Sequence, residues 1–373
     1  MLIYTEVTNL NFQGVLFMEK LNFAIIGQGR SGRSIHGAFY RGKQNDFINV
    51  RLVVEFDKDR RDLALKDYPG CEVTDDWKDI LKRDDIQLVV NASYSDMHYS
   101  ITKELLCAGF NVLVEKPFAR TYFECSDLIR IAKENNVVLS VFQQTFLAPE
   151  FIFSKEIADS GKLGEIKQVS IRYNGLARRW DWQTLQEKLG GSLYNTGPHP
   201  VGMALGFLDY SDNFRVEFAR LATCLTSGDA DDYDKLILSA PGKPVVDIEI
   251  SSIDAYCDYV VKLQGTKGTY KATRGGYKMK YIVDGENPEK PVIKESLKND
   301  EGLPAYCSEK LITHEEEGEF TGGVFDSAVR LFYEMLYNNI VYGTPLKVKT
   351  ENIAKIIQVI ETAHATNPLP KKF

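Results

Sequence analysis

Cysteine is sparse and scattered in this chain. Its 373 residues include six cysteines (Cys71, Cys107, Cys125, Cys224, Cys257 and Cys307), with no CxxC pair among them. That excludes a disulfide-stapled secreted scaffold and predicts buried free thiols in a reducing compartment, the cytoplasm. No HExxH, no paired Cys/His spacing and no acidic triplet at ligand spacing is present, so no metal is expected. Long apolar runs are missing too: none approaches the roughly 18 residues that span a bilayer. The N-terminus lacks the basic and hydrophobic regions of a secretory signal. Positive charge is in deficit, 45 Lys and Arg against 52 Asp and Glu, for a net charge of −7. Without a basic block, neither nucleic acid nor an anionic membrane is an expected partner. Internal repeats and low-complexity tracts are absent as well.

What remains is an ordinary globular composition, 44% hydrophobic and 26% charged, at a length that suggests two domains. Residues 1–17 carry no periodic pattern, and Asn9-Leu10-Asn11-Phe12-Gln13-Gly14 looks like a protease-tag remnant or an upstream translation artefact. They read as a non-native or disordered leader, with the native start at Met18. Residues 18–145 alternate strand-like and helix-like pieces. Apolar runs at Phe23–Ile26, Leu52–Phe56, Leu88–Ala92, Val112–Val114 and Val137–Phe142 predict a parallel sheet buried on both faces. The pattern then changes. Ile166–Tyr173, Phe214–Leu225, Lys235–Ala240, Val245–Ser252, Tyr259–Gly265, Thr269–Thr273 and Met279–Asp284 predict strands joined mostly by short turns, hence a large, mostly antiparallel open sheet within residues 146–373. Gln143–Pro149 marks the passage between the two domains. Two amphipathic helices close the chain, one with Ala328, Leu331, Phe332, Met335 and Leu336 on a stripe, the other with Ile353, Ile356, Ile357 and Ile360. The last is expected to pack back on the body.

Gly27-Gln28-Gly29-Arg30-Ser31-Gly32 follows the first apolar run and opens a helix-compatible stretch. In a strand–turn–helix the first Gly makes the tight turn, the second admits a pyrophosphate, and the third lets helix and strand approach. The N–H groups at the helix start meet the phosphates. With 28 glycines in the chain the motif alone is weak, but a second strand ends at Asp57, 25 residues after Gly32. A carboxylate near that distance takes the adenosine ribose hydroxyls. The pattern predicts a dinucleotide site with NAD preferred. Lys58, Arg60 and Arg61 leave NADP as an alternative.

Three further signatures follow in order: Asn91-Ala92-Ser93-Tyr94-Ser95-Asp96-Met97-His98, Glu115-Lys116-Pro117, and Gly190-Gly191-Ser192-Leu193-Tyr194-Asn195-Thr196-Gly197-Pro198-His199. With Gly32-Arg33-Ser34-Ile35-His36 and Gly161-Lys162-Leu163-Gly164-Glu165-Ile166, they resemble the Gfo/Idh/MocA family, named for glucose–fructose oxidoreductase and inositol dehydrogenase. The resemblance runs from about Asn22 to the final helix. It implies a Rossmann domain holding a nicotinamide cofactor, and a substrate over the C-terminal sheet. Around the cofactor it gathers Gly27, Gly29, Arg30, Ser31, Gly32, Asp57, Ser93, Ser95, His98, Glu115, Lys116, Gln143 and Gln144. Gln143 or Gln144 would reach the nicotinamide amide. Lys116 is implied to contact both cofactor and the reacting hydroxyl, a role that suits an ammonium beside developing negative charge. His199 is implied to be the general base, since loss of hydride from a carbinol yields a carbonyl only if the hydroxyl proton also leaves. A helix-start structural role for His98, and helix packing for His36, are the alternatives to chemistry there.

One departure stands out. The family commonly has Asp four residues before this His, where the chain has Asn195. Asn can orient the imidazole and hydrogen-bond to substrate but carries no charge to raise the His pKa. Arg178, Arg179, Trp180 and Trp182 precede the His199 motif where relatives line their pocket, and aromatic faces with Arg forks suit sugars or acids. The alternative is a loop anchored by buried tryptophans. The expected activity is hydride transfer between NAD(P) and a secondary alcohol or ketone of a sugar, cyclitol or derivative, in a homodimer or homotetramer. Rival readings are an NAD-dependent glycosidase-type enzyme whose cofactor never exchanges, and a non-catalytic nucleotide sensor.

Overall fold

The computed structural model describes residues 19–323, 325 and 327–373, so the expected leader lies outside the described residues. The first unit is a six-stranded sheet: β1 (Leu21–Ile26), β2 (Ile48–Val54), β3 (Glu72–Thr74), β4 (Leu88–Asn91), β5 (Asn111–Val114) and β6 (Leu139–Val141). The strands are parallel, in the order β3-β2-β1-β4-β5-β6. A π-helical turn, Arg30–His36, runs directly into α1 (Gly37–Arg41). Then come α2 (Lys58–Asp67), α3 (His98–Cys107) and α4 (Tyr122–Glu134). The apolar runs form strands because both faces are covered: Phe23, Ala24, Ile25, Leu88, Val89 and Val90 have no exposed surface. Strand order reverses between β1 and β4, which opens the crevice used by nucleotides in such sheets. Ile26 is level with Val54 and Asn91, and Asn91 with Val114. Gly27, Glu55, Ala92 and Glu115 therefore all leave the sheet at its carboxyl edge.

After α5 (Pro149–Asp159) comes β7 (Ile166–Asn174), then α6 (Ser192–Asn195), α7 (Pro198–Phe207), β8 (Arg215–Ala222), β9 (Tyr233–Ser239), β10 (Val245–Ser251), β11 (Val261–Gly265), β12 (Gly268–Ala272) and β13 (Gly276–Tyr281). The two-stranded β14 (Leu297–Lys298) and β15 (Pro304–Ala305) precede β16 (His314–Glu319). Eight of these strands form one sheet, β16-β13-β12-β11-β7-β10-β9-β8, antiparallel except for the β7–β10 pair. Alternation sorts its faces. Val169, Ile171, Leu236, Leu238, Val246, Ile248 and Leu263 are buried on one side, where α5, α7 and α9 (Thr350–Thr366) pack. The other side carries a polar ladder in which Arg172 pairs with Asp247 at 2.8 Å and Lys235 with Asp247 at 2.5 Å and Glu249 at 3.4 Å.

α8 (Ser327–Tyr342) crosses back to the first sheet: Tyr333 stacks on Phe39 at 4.8 Å, and Phe332 packs edge-on against Phe142. Among the described residues no helix is long and apolar enough to cross a membrane. The cysteine expectation needs correction. All six are free, but only Cys71 and Cys125 are buried, while Cys107, Cys224 and Cys307 are exposed at element ends and in loops.

Candidate functional site

The glycine loop is shaped by contacts that only glycine permits. Gly27 has φ of 93°, and a Cβ there would stand 2.3 Å from the Ala92 carbonyl oxygen. A Cβ on Gly32 would meet the Gly27 carbonyl oxygen at 2.0 Å. At Gly29 a Cβ would meet nothing within 4 Å, so the loop has open space where a pyrophosphate must approach. Gly29 caps the following helical turn without a side-chain hydrogen bond, leaving its first N–H groups to a ligand. Three buried side-chain carbonyl oxygens nearby in the chain's cofactor elements, on Gln28, Gln143 and Gln144, have no hydrogen-bond partner. Open space at Gly29 and unpaired acceptors at the end of β6 fit a dinucleotide with a carboxamide end.

Two carboxylates stand at the end of β2. Glu55 is buried and accepts from the backbone N–H of Gln28 at 2.8 Å and of Asp57 at 3.1 Å. Asp57 uses one oxygen to cap α2, accepting from the Arg60 N–H at 3.1 Å. Glu55, which sequence reasoning passed over, thus fixes the glycine loop, and Asp57 is the more exposed carboxylate. Between them Phe56 is 64% exposed and stacks with Tyr94 at 6.3 Å, while Trp182 meets Tyr94 edge-on at 4.9 Å. This aromatic line carries the segment before α6 onto the crevice mouth, where Lys188 also approaches Asp96 at 3.5 Å.

Behind the mouth, Glu115 is buried with both oxygens engaged, one by His36 Nε2 at 2.9 Å and one by the Lys116 N–H at 3.0 Å. Burial alone would raise its pKa, but the His36 hydrogen bond and the charges of His36 and Lys116 hold it low. His36 Nδ1 reaches the Tyr333 hydroxyl at 2.6 Å, and that hydroxyl bonds Tyr40, so the Glu115 side chain is tied through His36 to α8. His98 is sealed from the crevice. Its Nδ1 contacts the Pro117 carbonyl oxygen at 2.7 Å and its Nε2 the Ser93 carbonyl oxygen at 3.3 Å, and burial holds the ring below its usual pKa. It braces the loops rather than facing a ligand. Ser93 Oγ donates to Asn91 Oδ1, and Ser95 is buried.

Lys116 crosses to the second unit. Its Nζ donates to the Asn195 carbonyl oxygen at 2.7 Å and to Asn195 Oδ1 at 3.0 Å. Gln183 Nε2 donates to the same Oδ1 at 3.2 Å. Burial lowers the Lys116 pKa, Glu115 opposes this, and Arg179 and Arg30 add to it. The expectation that Asn195 orients the imidazole is corrected here: its amide oxygen is occupied by Lys116 and Gln183. The imidazole of His199 is held instead by Thr145, whose Oγ lies 3.1 Å from Nδ1, with Gln143 Nε2 at 3.3 Å. Gln143 Nε2 also donates to the Pro198 carbonyl oxygen at 2.7 Å, so it braces the His199 helix while its own carbonyl oxygen stays unpaired. Burial, with the Lys116 cation beside it, holds the His199 pKa down at about 3. The ring is neutral at physiological pH and able to accept a proton.

α6 starts where it does because Asp231 caps it, accepting from the Leu193 N–H at 2.6 Å. Gly191 (φ 100°) must be glycine, since a Cβ would stand 2.4 Å from an Asp231 carboxylate oxygen. Beside α6 opens a cavity of about 500 Å³, with Asn195, Thr196, Tyr173, Arg179 and Arg274 in its wall. Of the residues expected to touch substrate, Arg179 lines this cavity, held by Asp181 at 2.8 Å. Trp182 is at the crevice mouth. Arg178 is exposed and Trp180, 76% exposed, faces solvent: alternate positions of an extended loop point opposite ways, and these point outward. Sequence reasoning missed Gln183, Tyr173 and Arg274, none of which sits in a motif.

An Asp at position 195 would place its charge directly on Lys116. Asn195→Asp should therefore move the acidic limb of the pH dependence of kcat/KM upward, because neutralising the cation that depresses His199 raises the imidazole pKa. A limb that stays in place would show that Lys116 and His199 do not act together.

Comparison with known proteins finds two family descriptions in succession: the oxidoreductase family with an NAD-binding Rossmann fold over residues 21–143, and the GFO/IDH/MocA C-terminal domain over 151–271. The chain is 23% identical to the oxidoreductase YhhX of Escherichia coli over 91% of its own length and 95% of that protein's. It is 27% identical to the NADP(+) scyllo-inositol 2-dehydrogenase IolW of Bacillus subtilis over 50% of this chain and 52% of that one. Among solved structures, GenD2 from gentamicin A biosynthesis in complex with NAD superposes with a TM-score of 0.73 at 21% identity, covering 96% of this chain and 97% of the other.

Proposed function

The chain belongs to the Gfo/Idh/MocA family of NAD-binding oxidoreductases, and from that premise we propose that it interconverts a secondary alcohol and a ketone on a sugar, cyclitol or sugar derivative. One observation carries this reading: Lys116 of the first unit bonds Asn195, the neutral imidazole of His199 stacks with Tyr173, and Asn195 and Tyr173 both line a cavity of about 500 Å³. The bound nicotinamide would supply the hydride acceptor, held by the Gly27–Gly32 loop, Asp57, and the free carbonyl oxygens of Gln143 and Gln144. The chain's own residues do the rest. Lys116, turned toward the crevice by Asn195, holds the substrate oxygen and stabilises the negative charge that grows on it. In the tautomer whose Nδ1–H donates to Thr145 Oγ, with the Gln143 amide N–H turned to the Pro198 carbonyl oxygen, His199 keeps Nε2 free to take the hydroxyl proton. Glu115, anchored by His36, keeps a fixed negative charge behind Lys116 and so favours its ammonium form. In the reverse direction His199 returns the proton.

The test is a panel of hexoses, inositols and sugar acids, followed by absorbance with NAD and with NADP. Reduced cofactor formed from a polyol supports the reading. Cofactor that stays bound while no reduced form accumulates from any of them would instead favour the glycosidase-type or sensor readings.

Asp57 supports a preference for NAD, because its carboxylate would accept from both ribose hydroxyls and repel a 2′-phosphate. Asp57→Ser should weaken NAD about tenfold and narrow the gap to NADP, measured by fluorescence titration. Tighter binding of NADP by the unaltered protein would remove Asp57 from that role.

A further inference from the structure

Resting on the oxidoreductase reading above, we propose that the substrate carries a carboxylate and that Arg274 is the residue that receives it. The cavity wall contains six charged side chains, Arg172, Arg179, Arg274, Asp231, Asp232 and Asp258. Five are satisfied within the protein. Arg172 pairs with Asp247 and Arg179 with Asp181, each at 2.8 Å, and Asp258 with Lys271 at 2.5 Å. Asp231 accepts from the Leu193 N–H, and Asp232 from the N–H groups of Cys224, Leu225 and Thr226. Among the described residues Arg274 alone of the six makes no ion pair within 4 Å and no hydrogen bond; the buried Glu150 carboxylate feels its charge only at longer range. Its guanidinium rests over the Tyr173 ring, 5.8 Å from the centroid, which leaves its N–H fork open.

Arg274 is exposed at the cavity wall. Arg274 sits in the turn between β12 and β13, where Thr273 Oγ1 accepts from the N–H groups of both Gly275 and Gly276 at 3.2 Å. The same Tyr173 ring stacks with His199, centroids 6.3 Å apart and planes within 22°. The Tyr173 ring thus neighbours both the open guanidinium, 5.8 Å from its centroid, and the candidate proton acceptor, 6.3 Å away, and a short polyhydroxy acid laid along that ring would reach both. The charge already acts across this distance, since Arg274 is among the cations that depress His199. A planar two-oxygen anion matches the guanidinium fork and would also relieve that depression.

The experiment compares matched pairs, D-gluconate with D-glucitol and D-glucuronate with D-glucose, on the NAD-loaded protein, by NADH absorbance and by calorimetric titration. The acids are expected to be preferred, and Arg274→Gln should lower their kcat/KM and their affinity about 10–100-fold while neutral partners change less than about threefold. Arg274→Lys should restore part of the loss. Equal use of acid and neutral partner, preference for a sugar phosphate over the acids, or an equal loss for all substrates in Arg274→Gln would overturn the proposal. The two readings fail separately. Arg274-dependent binding of an acid without any NADH formation keeps the carboxylate site and removes the oxidoreductase assignment. NADH from neutral sugars alone does the opposite.

Discussion

Turnover should fall by roughly 10²–10⁴ when His199 becomes alanine, with NAD affinity nearly unchanged. The size follows from what the imidazole alone provides. Lys116 remains on Asn195, so charge stabilisation on the substrate oxygen survives the change. What is lost is the acceptor for the hydroxyl proton, in a position fixed by Thr145 and by stacking on Tyr173. NAD affinity should hold because the glycine loop, Glu55 and Asp57 lie on the other unit. Steady-state rates on a substrate found in the polyol panel, with NAD titrated in parallel, check both halves. Full activity in His199→Ala would pass the proton to Lys116, whose lowered pKa makes it the next candidate. An equal loss of NAD binding would instead mean that the ring is structural.

How much of this was legible depends on the range of the interaction. The parallel sheet was readable because its strands are short runs of Val, Ile and Leu followed by turn chemistry. β7 and β9 to β12 were readable by alternation. β16 was not: His314-Glu315-Glu316-Glu317-Gly318-Glu319 has no apolar face, and it is a strand because Lys280 and Lys278 lie opposite Glu315 and Glu317 on β13. Lys116, Asn195 and His199 were identifiable from motifs, but their pairing was not. Asn195 and His199 are four positions apart in sequence, yet the amide of Asn195 serves a lysine 79 positions away. Glu55 was overlooked because a carboxylate at a strand end reads as solvated, whereas here two backbone N–H groups stabilise it in a buried site. Arg274 looks like any turn arginine. Only the pairing of β12 with β11 and of β11 with β7 brings it over Tyr173.

Removing the chain after Glu351 should abolish folded, active protein, because α9 joins the two units. Ile353, Ile356, Ile357 and Ile360 are all buried. At roughly 1.5–3 kcal/mol per side chain their burial contributes about 6–12 kcal/mol, comparable to the whole stability of a typical domain. The helix packs on α4 and β6 of the first unit and on α7 and β8 of the second. Its polar contacts divide the same way. The Thr350 hydroxyl donates to the Leu139 carbonyl oxygen at 2.7 Å, and Glu361 accepts from the Tyr122 N–H at 2.9 Å. On the other side Lys355 donates to the Tyr210 carbonyl oxygen, and His364 stacks on Tyr194 of α6 at 4.8 Å. α6 and α7 carry Asn195 and His199, so α9 fixes where the second unit presents its chemistry to Lys116. A milder change separates folding from alignment. Glu361→Gln weakens one clamp to the first unit without opening the core, and should lower kcat more than it lowers the melting temperature. A truncated protein that stays soluble and fully active would mean that the two units meet correctly without α9, with the Lys116–Asn195 contact sufficient to align them.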